Sequence, residues 1–166
     1  MTRRSITKRA AVVTATALVA VGTFAAGIGV AGSDNDAKAS KKQIAGLFDT
    51  WNRTLQTGDP EKVADLYADD AVLLPTVSNK IRTDHAGIVD YFEHFLENKP
   101  VGKKLETIVN VLDDDSAIDT GIYQFTLTDH ATGTQSVVKA RYTYEYEKRD
   151  GKWLIVNHHS SKMPEG

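Results

Sequence analysis

The sequence contains no cysteine, which excludes disulfides, thiolate metal sites, a cysteine nucleophile and a lipidated cysteine anchor. A formal net charge of -2 over 166 residues gives no basic surface of the kind that nucleic acid needs. The chain also lacks a glycine-rich dinucleotide fingerprint and the G-x-S-x-G elbow of serine hydrolases. We therefore expect one packed domain with no cofactor, no metal and no nucleic-acid partner.

The first 39 residues differ from the rest in composition. Four basic residues precede position 10, an uncharged run rich in Ala, Val and Gly spans 10–32, and Ala37-Lys38-Ala39 has the small-x-small spacing that signal peptidase cleaves. This pattern predicts a signal peptide over 1–39 and an exported domain over 40–166. Residues 2–8 also resemble a twin-arginine signal, so both the twin-arginine and the general export routes stay open. A retained membrane anchor is the alternative, because about 20 apolar residues can span a bilayer.

Apolar periodicity predicts helices first and strands later. Helical spacing covers about 41–56, a short segment from Pro60 through Tyr67, and about 84–98. Strand-like runs follow at 71–74, 105–112, 117–128, 136–147 and 153–161. The Asp150-Gly151 pair predicts a tight hairpin between the last two strands. This order predicts an α+β fold, in which three N-terminal helices pack on the concave face of a cone-shaped, curved antiparallel sheet. The mouth of such a cone is a usual ligand site.

Two segments resemble known families. Residues 66–73 look like the junction of the second helix and first strand in the nuclear transport factor 2-like superfamily, also called SnoaL-like or cystatin-like. Residues 148–154, with His159, Ser161 and Pro164, closely resemble the end of the calcium/calmodulin-dependent protein kinase II association domain. Residues 158–164 are more similar to its bacterial relatives, the SgcJ/EcaC family.

The resemblance covers about 41–165 and implies the cone fold and self-association, as a homodimer or a larger ring. The kinase domain and the calmodulin-binding helix have no counterpart in the sequence, so we expect no calmodulin partner. Because this fold hosts isomerases, dehydratases, cyclases and binding proteins, the resemblance does not fix a function.

Candidate site residues come from the strands and the apolar helix faces. Adjacent His158 and His159 must point to opposite faces of their strand, so they cannot share a metal. One of the two should face the cone and the other the outside or a subunit contact, and which one is left open. His159 is the candidate site residue, either as a proton-transfer group or as a structural histidine. The expected ligand-binding set is aromatic with one cation: Trp51, Tyr67, Tyr91, Tyr123, Tyr144, His159 and Arg82.

The isomerase branch of the superfamily uses a buried Asp as a base and a Tyr hydroxyl as an oxyanion donor. By that resemblance Asp49 and Tyr67 join His159 as candidate catalytic residues. The leading function is small-molecule binding or self-assembly without catalysis. The alternative is a cofactor-independent SnoaL-like enzyme, an isomerase, a cyclase or an SgcJ/EcaC-type oxidoreductase, acting on a small carbonyl or polyketide-like compound.

Overall fold

The computed structural model describes residues 38–164, so most of the predicted signal peptide lies outside the described residues. The elements are α1 (Lys41–Leu55), α2 (Pro60–Ala64), β1 (Tyr67–Leu74), α3 (His85–Leu96), β2 (Val101–Val111), β3 (Ser116–Thr128), β4 (Gln135–Arg149) and β5 (Lys152–Lys162). The predicted α+β fold is confirmed: three helices accompany a five-stranded sheet, with β1 between α2 and α3 and the other four strands after α3.

Side-chain oxygens fix where the helices begin. Ser40 accepts a hydrogen bond from the backbone N–H of Gln43 at the start of α1, Asp59 caps α2, and Asp84 caps α3. These residues satisfy backbone donors that otherwise have no partner in the first helical turn. The capping pattern explains why the predicted helix starts are close to the observed ones.

The sheet has the order β1-β5-β4-β3-β2. Strands β2 to β5 are antiparallel neighbours, but β1 pairs with β5 in parallel. The prediction of an antiparallel sheet is therefore wrong at this edge. The bounds differ as well: helical spacing places Tyr67 in the second helix, but α2 ends at Ala64 and β1 begins at Tyr67 opposite Ile155.

The core lies between the helices and one face of the sheet. Strand β4 turns Ala140, Tyr142, Tyr144 and Tyr146 inward, as its alternation predicts, and all four are buried. Phe48 and Trp51 of α1 pack against these rings, with Phe48 6.4 Å from Tyr142 and Trp51 5.8 Å from Tyr144 between centroids. This dense aromatic layer holds the sheet and helices together and forms the base of the cone.

Bulges bend the long strands. The β2–β3 register shifts between Lys104 and Glu106, which brings the Glu106 backbone against Gly121. A Cβ at Gly121 would overlap the Glu106 carbonyl, so only glycine fits this close approach. The β4–β5 hairpin closes at Asp150 and Gly151, both with positive φ, as the Asp-Gly signal predicts.

Candidate functional site

A pocket opens between the helices and the concave face of the sheet. The volume that the centre of a water-sized sphere can occupy is about 70 Å³, and the lining comes from α1, β1 and the segment after it, α3, β3, β4 and β5. Its walls are mainly aromatic: Trp51, Tyr91, Phe92, Phe95, Tyr123 and Phe125. No Asp, Glu, Lys or Arg is among the described lining residues. The pocket therefore suits a small, mainly apolar and uncharged molecule.

A chain of hydrogen bonds crosses the floor of the pocket. Trp51 Nε1 donates to the Tyr67 hydroxyl at 3.1 Å, and that hydroxyl lies 2.9 Å from His158 Nδ1. On the other side of the ring, His158 Nε2 lies 3.5 Å from the Tyr123 hydroxyl. Tyr123 donates to Ser160 Oγ at 2.5 Å, and Ser160 also contacts the Thr76 hydroxyl. These groups supply the polar surface of an otherwise apolar cavity.

His158 is held in place by rings on two sides. Its imidazole stacks on Tyr144 at 4.0 Å with an interplanar angle of 24°, and Trp51 meets it edge-on at 5.6 Å. Burial lowers the pKa of His158 from its usual 6.5 to about 3, with a smaller contribution from the neighbouring His159. The imidazole is therefore neutral at physiological pH.

The structure distributes the predicted aromatic residues over two layers. Trp51, Tyr91 and Tyr123 line the pocket. Tyr67 and Tyr144 lie behind His158, one through the hydrogen bond to Nδ1 and the other through ring stacking. Burial raises the pKa of Tyr91 to about 12 and those of Tyr67, Tyr123 and Tyr144 further, so these phenols stay protonated at neutral pH.

Three predicted site residues lie outside the pocket. His159 is exposed on the opposite face of the sheet, in a shallow depression beside Arg141 and Ser161. Asp49 is exposed on the solvent side of α1. Arg82 is buried, but its guanidinium binds Asp90 at 3.0 Å and the Lys80 carbonyl at 2.6 Å. His159 and Asp49 therefore do not line the cone, and the Arg82 guanidinium is already paired with groups of the protein.

A β-bulge in β5 explains why His158, and not His159, faces the cone. Ile155 is buried, and strict alternation from Ile155 places His159 on the same inner face. The β4–β5 register, however, pairs Glu145 with Asn157 and Tyr146 with Ile155, which leaves one extra residue in β5. The extra residue reverses the parity, so His158 faces the cone. The sequence carries the His-His pair but no signal for this shift.

A second polar cluster lies under α1. Asp119 is fully buried and accepts hydrogen bonds from Lys104 Nζ at 3.1 Å and from the Tyr142 hydroxyl at 2.9 Å. Lys104 also donates to the Ala45 carbonyl of α1. Burial raises the pKa of Asp119 and the Lys104 cation opposes that rise. Because its members come from α1, β2, β3 and β4, this cluster is a structural tie between α1 and the sheet.

The described part of the chain has neither a metal-binding cluster nor a membrane-spanning helix. Between residues 38 and 164, His, Asp and Glu side chains form no group of three that could hold a metal ion. None of the helices within the same range has the length and apolar character needed to cross a membrane.

A match to a family sequence profile shows the family to which the chain belongs. The sequence profile of the calcium/calmodulin-dependent protein kinase II association domain matches residues 40–164. The chain belongs to this family. No functionally curated protein matches the chain significantly.

Solved structures agree with the family membership. A Xanthomonas campestris protein assigned as an association domain of this kind is 60% identical, with a TM-score of 0.76 over 78% of this chain and 92% of that one. The association domain of Caenorhabditis elegans calcium/calmodulin-dependent protein kinase II is 16% identical, with a TM-score of 0.61 over 77% of this chain and 100% of its own. A nuclear transport factor 2-like protein with a cystatin-like fold from Novosphingobium aromaticivorans is 13% identical, with a TM-score of 0.60 over 75% of this chain and 82% of that chain. The last two likenesses show the shared fold.

Proposed function

We propose that this protein is an exported, self-assembling domain that binds a small, mainly apolar molecule inside its cone. The observation that carries the proposal is an open pocket with apolar, largely aromatic walls and a polar floor. A core that only needed stability would fill this space, because packed interiors leave few voids larger than a water molecule.

Binding has more support than catalysis. Proton abstraction needs a base poised near the working pH, and the described pocket wall carries no carboxylate. His158 is the single imidazole on that wall, and its pKa of about 3 makes it a weak base. The alternative, a SnoaL-like enzyme or an SgcJ/EcaC-type oxidoreductase, would need a base or a redox group from elsewhere.

Intrinsic fluorescence tests ligand binding directly. The chain has two tryptophans, so Trp153→Phe leaves Trp51 on the pocket wall as the single reporter. We expect apolar ring compounds to shift or quench its emission in a saturable way. Val138→Phe should weaken this response by narrowing the pocket mouth, whereas Val137→Phe, on the opposite face of β4, should not. Equal effects of the two variants would argue against binding in the cone.

The outer face of the sheet is the proposed self-assembly surface. Helices α1 and α3 pack on the inner face, and the outer face carries exposed Ile108, Val137 and Arg141 beside half-buried Glu145. Charges of both signs along one strand suit a two-fold contact, in which the cationic part of one copy meets the acidic part of the other. Membership in an association domain family supports self-assembly itself.

Light scattering at micromolar concentration tests self-assembly. We expect at least a dimer for the wild type and a smaller assembly for Arg141→Glu. Lys42→Glu, an equivalent charge reversal on exposed α1, should leave the mass unchanged. A monomeric wild type would refute this part of the proposal.

Export is tested at the N-terminus of the protein that cells release. N-terminal sequencing should give Ser40 as the first residue, because Ala37-Lys38-Ala39 supplies the cleavage pattern. Recovery of the uncleaved chain from the membrane fraction would refute cleavage and indicate a retained membrane anchor.

A further inference from the structure

The hydrogen-bond chain on the pocket floor has a fixed direction. An indole N–H can only donate, so Trp51 Nε1 must give its proton to the Tyr67 oxygen. The Tyr67 proton then needs its own acceptor, and His158 Nδ1 at 2.9 Å is the partner that the described contacts supply. If Nδ1 carried a proton instead, two donors would meet at one oxygen and the buried Tyr67 proton would have no acceptor.

Matching donors to acceptors in the same way places a proton on the other ring nitrogen of His158, Nε2. A neutral imidazole carries one N–H, so with Nδ1 accepting from Tyr67 the proton is on Nε2. Nε2 faces the Tyr123 hydroxyl at 3.5 Å, which is long for a hydrogen bond. Tyr123 directs its own proton to Ser160. The Nε2–H is therefore a donor at the pocket wall whose existing partner is weak.

We propose that His158 is a fixed, neutral Nε2–H donor that selects ring-shaped ligands carrying a carbonyl oxygen. This inference rests on the proposed ligand-binding function and names the ligand class. A ligand carbonyl that approaches closer than Tyr123 satisfies a donor that is otherwise poorly paired. Tyr67 is a positioning residue, because it sets the tautomer of His158 without contact with the ligand.

The walls restrict the ligand further. Tyr91, Phe92, Phe95 and Phe125 surround the space next to His158 with aromatic rings, which pack well on a flat ring system. The described pocket wall has no cation to neutralise a carboxylate or a phosphate. Burying an unpaired anion there would be strongly unfavourable, so an uncharged cyclic ketone fits better than an acid.

Nitrogen NMR tests the tautomer without any ligand. In the purified protein labelled with ¹⁵N-histidine, long-range proton correlations distinguish a protonated from an unprotonated ring nitrogen. We expect His158 at neutral pH to carry its proton on Nε2 alone. Tyr67→Phe removes the donor to Nδ1 and should allow the other tautomer to appear. A proton on Nδ1, or on both nitrogens, in the wild type would overturn the inference.

Matched ligands test the selectivity. With Trp153→Phe in every protein compared, we would measure affinities for 1-indanone and indane, and for 1-tetralone and tetralin, by the emission of Trp51. Each pair shares a carbon frame and differs in the carbonyl, so the wild type should prefer the ketone by about tenfold. His158→Phe should bind ketone and hydrocarbon equally, and the wild-type comparison stands alone if that variant does not fold.

The outcomes separate this inference from the proposed function. Equal binding of ketone and hydrocarbon by the wild type would refute the donor role and leave the ligand pocket in place. Failure of all four compounds to bind would refute the proposed ligand-binding function and the inference together.

Discussion

The buried His158 makes the stability of this protein sensitive to acid. In the unfolded chain a histidine has a pKa near 6.5, whereas in the folded protein burial lowers the pKa of His158 to about 3. Between these values the unfolded chain binds a proton that the folded protein does not. The free energy of unfolding is thus unaffected by this group above about pH 6.5 and falls as the pH drops toward 3.

The size of the effect follows from the two pKa values. A single site changes the free energy of unfolding by at most about 1.4 kcal/mol per pH unit. Between pH 6 and pH 4 the wild type should lose roughly 2–3 kcal/mol through His158. His158→Gln has no titrating group there, while its amide can still accept from Tyr67 and donate toward Tyr123.

Urea unfolding of the wild type and His158→Gln at both pH values isolates this contribution. The pH-dependent loss of the free energy of unfolding should be smaller by roughly 2–3 kcal/mol in His158→Gln than in the wild type. Comparing the two proteins cancels the contributions of the carboxylates. If His158→Gln and the wild type lost the same free energy between pH 6 and pH 4, the neutral, buried imidazole would be refuted.

Further substitutions test the packing around the site. Gly121→Ala should lower the free energy of unfolding by about 3 kcal/mol, because the new methyl overlaps the Glu106 carbonyl, and urea unfolding measures the loss. Gly46→Ala, in α1 with open space around it, should instead raise the free energy of unfolding by about 0.5–1 kcal/mol in the same assay. Tyr67→Phe should cost about 1–3 kcal/mol by thermal or urea unfolding, since Trp51 Nε1 loses its acceptor inside the core.

Much of the fold is predictable because local patterns agree with the final packing. The alternation of β4 places three tyrosines on one face, and the structure buries all three. Asp150-Gly151 predicts the hairpin and adopts the required positive φ angles. Tyr67 was assigned to a helix because its spacing from Val63 suits a helical face. Its pairing with Ile155, distant in sequence, gives it an extended conformation instead.

The site was less predictable because it depends on register. One extra residue in β5 decides whether His158 or His159 faces the cone, and such a bulge leaves no mark in the composition. Arg82 was expected to bind a ligand, but Asp90 and the Lys80 carbonyl occupy its guanidinium. For the histidine pair and for Arg82, the sequence indicates the kind of side chain. It does not indicate the partners of that side chain, because tertiary contacts determine them.

The arrangement around His158 bears on how selective the pocket can be. The stack on Tyr144 and the edge contact with Trp51 fix the plane of the imidazole, and the bond from Tyr67 fixes its proton. A donor that is ordered before binding loses little conformational entropy when a ligand arrives. Its contribution to affinity should therefore depend on where the ligand oxygen lies, which favours ligands that match the position of Nε2 over those that merely fill the aromatic space.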